Sequence, residues 1–165
     1  MSPTPANETV EYWLAREPSA ETYLSLLRLA EYLGGSGSLV SRTIKSIAPG
    51  GEDFADHLDD LGCEKQAVSE WPGTKLLGGD TATLRRFPCD LAHLEALREA
   101  TTALFGWLSP DLPEDLCLYR SDGTVWLSTI SHERDAVLTV TASELARLGL
   151  EEPGLLVAAI PEHDR

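Results

Sequence analysis

Residues 115–141, DLCLYRSDGTVWLSTISHERDAVLTVT, constrain the chain most, because their apolar runs and turn signals predict three strands of an antiparallel meander. Residues 116–120 and 124–131 are rich in aliphatic, aromatic and β-branched side chains, which suit a pleated, half-buried surface. Between them, Asp122-Gly123 supplies the positive φ angles that a tight hairpin needs. Strict alternation puts Trp126, Ser128 and Ile130 on one face of the second strand and Val125, Leu127 and Thr129 on the other. His132 to Asp135 form a polar turn, and Ala136, Leu138 and Val140 share one side of the third strand.

The exit from the meander is a helix start. Thr141 followed by Glu144 is a capping box, in which each residue satisfies a backbone donor of the other. The helix runs through Leu145 and Leu148 to Gly149, and the apolar run 155–160 after Pro153-Gly154 predicts a further strand.

Upstream, residues 6–17 carry Val10, Trp13 and Leu14 at helical spacing, with Asn7 as cap. Ser19 caps a second helix over 20–33, with Tyr23, Leu26, Leu27, Ala30 and Leu33 on one face. Residues 39–48 fit a helical period through Leu39, Val40, Thr43, Ile44 and Ile47, although their β-branched content also suits a strand. Pro49-Gly50-Gly51 reads as a loop before a short helix carrying Phe54, His57, Leu58 and Leu61. Two strands over 71–77 and 81–87, joined by Gly78-Gly79-Asp80, predict a hairpin. Asp90 caps a helix whose stripe runs from Leu91 to Leu108. The pattern is α+β: an antiparallel sheet, comprising the C-terminal meander 115–141 and the hairpin 71–87, with helices packed on one face and a helical N-terminal third.

At 165 residues the chain is the size of one α+β domain, 1–165, with 1–62 readable as a helical N-terminal subdomain. No apolar run approaches the ~20 residues of a membrane span. Residues 1–9 are polar and lack a signal-peptide pattern, so the expectation is a cytoplasmic protein. Three widely spaced cysteines, Cys63, Cys89 and Cys117, argue for reduced thiols and against a disulfide framework. The four tryptophans are expected in the core.

The formal net charge of −14 sorts the functional classes. Such a surface repels phosphate backbones and anionic lipids and favours a basic partner. The basic residues are ten Arg against three Lys, the bias of a GC-rich bacterial genome. His57, His93, His132 and His163 are scattered and no Cys-x-x-Cys pair occurs, so neither a metal nor a cofactor is expected. Gly34-Gly35-Ser36-Gly37 lacks the lysine of a phosphate-binding loop and reads as a helix stop. Cys117, His132 and Asp135 are the one compact nucleophile–base–acid set, lying toward one end of the paired strands. A cysteine between Leu116 and Leu118 is more simply an inert buried side chain, so the reading points away from an enzyme.

Residues 29–34 and 39–44, LAEYLG and LVSRTI, resemble the helix-turn-helix of lactose-repressor-type regulators. Ala30, Gly34, Val40 and Ile44 fall where that motif packs its helices. The resemblance implies that Ser41, Arg42 and Lys45 would meet DNA. Gly35 and Gly37 depart from the rigid apolar turn of the motif. The balance over 20–48 is only +1, from Arg28, Arg42 and Lys45 against Glu21 and Glu31. That balance argues against nucleic acid as the partner. The leading expectation is a non-catalytic interaction protein that neutralises or regulates a basic protein through Glu52, Asp53, Asp56, Asp59 and Asp60. In character it is similar to immunity proteins, antitoxins and nucleic-acid-mimicking inhibitors.

Overall fold

The meander is present as β7 (Glu114–Tyr119), β8 (Val125–Ile130) and β9 (Asp135–Thr141), in a computed structural model that describes residues 7–42 and 49–159. The remaining described strands and α-helices are β1 (Thr9–Leu14), α1 (Ala20–Leu33), β2 (Ser36–Arg42), α2 (Pro49–Leu61), β3 (Glu64–Val68), β4 (Glu70–Trp71), β5 (Thr74–Lys75), β6 (Ala82–Pro88), α3 (Leu91–Ala100), α4 (Ala142–Leu148) and β10 (Leu156–Ala158). Eight strands form one antiparallel sheet in the order β10-β1-β9-β8-β7-β2-β6-β3, and β4 and β5 form a separate hairpin. The fold is α+β.

The meander departs from strict alternation where β7 pairs with β8, and β7 has a second register shift where it pairs with β2, between Cys117 and Glu114. Leu118 pairs with Leu127 but Tyr119 pairs with Val125, so Trp126 is an extra residue, a β-bulge. Trp126 therefore joins Leu127 in the main core, both fully buried, instead of facing away with Ser128.

Local signals set the helix ends. Ser19 Oγ accepts from the Thr22 amide at 3.1 Å, and Gly34 closes α1 in the left-handed region. The next residue must also be glycine, because a Cβ on Gly35 would lie 1.8 Å from the Tyr119 carbonyl oxygen. That approach lets the chain turn from α1 straight into β2. At α4 both halves of the Thr141–Glu144 capping box are present.

The four helices cover one face of the sheet. Tyr23, Leu26, Leu27, Leu58, Leu94, Leu97 and Leu148 pack with Leu39, Phe87, Leu118, Leu127, Leu138 and Val140 in one cluster. The opposite face is covered at β2 and β6 by the β4–β5 hairpin, which buries Trp71 with Val40, Ala82 and Leu84. Neighbouring residues Leu39 and Val40 thus belong to different layers, as side chains on a strand must.

Several expectations are corrected. The segment 6–17, read as a helix, forms β1, which pairs with β9 (Val10↔Val140, Tyr12↔Leu138) and with β10. Residues 39–42 belong to a strand and not a helix, while 43–48 lie outside the described residues. Because β2 is buried on both faces, its apolar residues run continuously and their period does not report a strand. The N-terminal third is consequently two helices alternating with two strands, and not helical throughout. Pro49-Gly50-Gly51 is the first turn of α2, a position that suits proline because its missing N–H would be unpaired there. The hairpin 71–87 is replaced by the four-residue pairing of β4 with β5, while β6 pairs with β2 and β3. The helix from Asp90 ends at Ala100, and Leu104–Gly106 is a separate 3-10 turn.

Candidate functional site

The acidic residues singled out from the sequence all lie on α2. This helix has five Asp or Glu and no Lys or Arg over Pro49–Leu61, PGGEDFADHLDDL. Its inward side is fixed by Ala55 and Leu58, both buried, and by Phe54, whose ring lies 5.1 Å from that of Trp107. The carboxylates therefore point outward and sideways. Helical spacing sets Glu52, Asp56 and Asp59 in one row and Asp53, His57 and Asp60 in another.

The two rows differ in their neighbours. Asp59 is tied to the sheet: it accepts from Arg85 Nε at 2.9 Å, Arg85 Nη2 at 3.4 Å, Lys65 Nζ at 3.4 Å and the Cys63 thiol at 3.2 Å. The Arg85 guanidinium holds the Asp59 carboxyl well below its ordinary value, to about 2. Arg85 Nη1 also donates to Ser41 Oγ at 3.2 Å, so one arginine staples α2 to β6 and β2. Glu52 and Asp56 line a cleft of about 350 Å3 between α2 and the sheet, with Ser41, Thr83 and Arg85. Glu52, Asp53, Asp56 and Asp60 are exposed and make no hydrogen bond or ion pair among the described residues. Of the five residues, four present free charge and the fifth is structural.

The residues implied by the helix-turn-helix resemblance are differently placed. Ser41 and Arg42 end strand β2, so the helix that would present them is absent at residues 39–42, and Lys45 lies outside the described residues. Arg42 instead lines a cleft of about 470 Å3 beside the β4–β5 hairpin, together with Lys75, Asp80, His132 and Glu133.

Cys117, His132 and Asp135 are not joined by any hydrogen bond among the described residues. Cys117 is fully buried in β7, and burial pushes its thiol up to about 12, so no thiolate is available near neutral pH. His132 lies in the turn after β8, its Nε2 at 3.7 Å from Glu133 Oε1. Asp135 opens β9 opposite Ile130.

Two buried acids, Glu114 and Asp115, lie near that turn, and sequence reasoning passed over Asp115 as a structural centre. Its Oδ2 accepts from Trp71 Nε1 at 3.0 Å and its Oδ1 from the Ser131 amide at 2.9 Å, while its own amide donates to the Trp107 carbonyl at 3.2 Å. Its φ is +60°, a left-handed conformation that aspartate tolerates better than most residues. Burial raises its carboxyl above the ordinary value. With each oxygen held by a fixed donor, Asp115 works as a clamp on three chain segments. Gly73, the turn of the clamped hairpin, has φ +86° and leaves only 3.0 Å between a notional Cβ and Ile130 Cγ1. No local signal marks Asp115, because its partners come from distant segments.

Among the described residues no three His, Cys, Asp or Glu side chains are grouped to hold a metal ion. No helix among them is long and apolar enough to cross a membrane. No protein-family model, curated protein or solved structure matches the chain.

Proposed function

We propose that this is a non-catalytic interaction protein that binds and neutralises or regulates a basic protein partner through the exposed face of α2. The observation that carries the reading is the set Glu52, Asp53, Asp56 and Asp60, four exposed carboxylates with no hydrogen bond or ion pair among the described residues. In a chain of net charge −14 they add to a field that draws a cationic surface in and repels anions. The one acid of the helix that is tied down, Asp59, fixes α2 on the sheet and so presents the other four rigidly. The three free thiols support a cytoplasmic setting for both partners.

Native co-purification of the tagged chain, with and without nuclease, tests the reading. The expected result is a basic, stoichiometric partner that survives nuclease and is lost at high salt. Reversing Glu52, Asp53, Asp56 and Asp60 to lysine is expected to weaken the complex by about tenfold or more, mostly in the association rate, and to flatten its salt dependence. Unchanged affinity in that variant would exclude α2 as the site. Recovery of no protein partner would exclude the function.

A further inference from the structure

Strand β3 ends the sheet, paired with β6 on one side and, among the described residues, with no strand on the other. Glu64, Lys65, Gln66 and Ala67 are all exposed and Val68 is half-buried, so the strand is accessible from solvent. An open edge presents a row of backbone donors and acceptors with which another extended chain can pair.

The register shows on which face of it α2 lies. Lys65 stands opposite Arg85 and Ala67 opposite Thr83. Arg85 and Thr83 line the same cleft as Glu52 and Asp56, so α2 packs on the face of the sheet that carries Lys65 and Ala67, and its Asp59 reaches the edge strand through Lys65. Both described cations on that side, Lys65 and Arg85, are turned onto Asp59, at 3.4 and 2.9 Å, which leaves Glu52 and Asp56 with no ion pair among the described residues. The other end of the sheet differs. There β10 is the three-residue strand LVA, with exposed Val157 and no charge.

Building on the reading above, we propose that the basic partner docks by strand addition. An extended segment with Lys or Arg at alternate positions pairs with the open edge of β3, and its cations turn toward Glu52 and Asp56. Backbone pairing supplies affinity, and the charges set the face. A one-residue slip would turn every cation away from α2, so the acidic helix also selects the register.

The test uses the full chain and three synthetic peptides of alternating lysine and threonine. One has an ordinary backbone. The second and third carry ester bonds in place of amides at alternate residues, one at the odd and the other at the even positions. Each ester removes a donor from one edge of the peptide and leaves the side chains alone. Strand addition predicts that one ester peptide binds about ten- to hundredfold more weakly than the all-amide peptide, while the other binds within about threefold. It also predicts slower hydrogen exchange at outward-facing amides of β3 when the all-amide peptide is bound. Equal binding by both ester peptides would overturn strand addition and leave the charge-based reading standing. No binding by any peptide, with the co-purified partner still lost in the charge-reversed variant, would likewise overturn strand addition alone. No binding and no partner would overturn both.

Discussion

Trp71 donates its indole N–H to Asp115 Oδ2 at 3.0 Å, a polar tie that adds to the packing of Trp71 on Val40, Ala82 and Leu84 in holding the β4–β5 hairpin to the back of the sheet. Both residues are nearly inaccessible, Trp71 6% and Asp115 1% exposed, so water cannot replace a partner that is removed. Asp115→Ala strands the Trp71 indole and the Ser131 amide together, and is expected to cost about 3 kcal/mol. Trp71→Phe leaves the carboxylate with one donor fewer and is expected to cost about 2 kcal/mol. Urea unfolding of both variants checks the ordering. A loss below ~0.5 kcal/mol for Asp115→Ala would mean the clamp is not formed in solution.

Asp115 and Asp59 should pull stability in opposite directions with pH. Asp59 is held at about 2, below its ordinary 3.8, first by the hydrogen bond from Arg85. Its contribution is present above the ordinary value and lost as pH falls toward 2. Burial raises Asp115, so its ionised form is disfavoured in the folded chain. Its contribution is present in acid and lost as pH rises through the carboxylate range. Asp59→Asn is expected to flatten the acid limb of the stability curve, with a loss of about 1 kcal/mol at neutral pH because the pair is partly solvated. For Asp115→Asn, the penalty relative to the parent should be largest in acid and shrink toward neutral pH. Thermal melts of both variants across that range decide the signs.

The elements read correctly from sequence are those whose cause is local. Asp122-Gly123 makes the β7–β8 turn whatever surrounds it. Ser19 with Gly34, and Thr141 with Glu144 and Gly149, mark α1 and α4 by capping alone. The misread elements are decided by distant partners. The residues of β1 satisfy a helical spacing, and they are a strand because β9 and β10 leave a place between them. Strand β3 is too polar to announce itself and exists through its pairing with β6. The same division holds at the candidate site. The acidic face of α2 follows from helical spacing, but the neutralisation of Asp59 depends on Arg85, 26 residues away. Asp115 could not be found at all, since Trp71 is 44 residues before it and Ser131 is 16 after.

Glu144 serves two structures at once, so its substitutions should separate into two steps. Its Oε2 accepts from the Thr141 amide at 2.9 Å and from Arg120 Nη2 at 2.7 Å, and its Oε1 from Arg120 Nε at 2.9 Å. Arg120 Nη2 also donates to the Thr139 carbonyl at 2.7 Å, joining the start of the β7–β8 turn to the end of β9. The Arg120 and Glu144 side chains are 16% and 13% exposed, so removing the anion leaves a poorly solvated guanidinium. Glu144→Ala is expected to cost about 3 kcal/mol, combining the lost cap with the unpaired arginine. Glu144→Gln keeps a capping oxygen and should cost about 1 kcal/mol less than the alanine variant. Equal losses would show that the cap contributes nothing.

The cysteines offer a test of how closed the sheet is around Cys117. Cys89 and Cys117 are buried with thiols pushed up to about 12, and partly buried Cys63 is raised to about 11. A thiol reagent at neutral pH should therefore label the folded chain slowly and all three positions at once in urea. Reaction at Cys117 should track the unfolded population, slowing as the chain is stabilised and quickening with denaturant. Cys63 should respond to a local change instead. Burial is the main cause of its raised value, and the Asp59 carboxylate adds to it as acceptor of the thiol and as a nearby negative charge. Asp59→Asn removes the negative charge, so it should speed labelling of Cys63 well beyond the increase that Cys89 and Cys117 gain from lower stability. Mass spectrometry of the labelled peptides resolves the three rates. If Cys117 instead reacts in the folded chain as fast as Cys63, the strand is open to solvent, and a nucleophilic role alongside His132 and Asp135 returns to consideration.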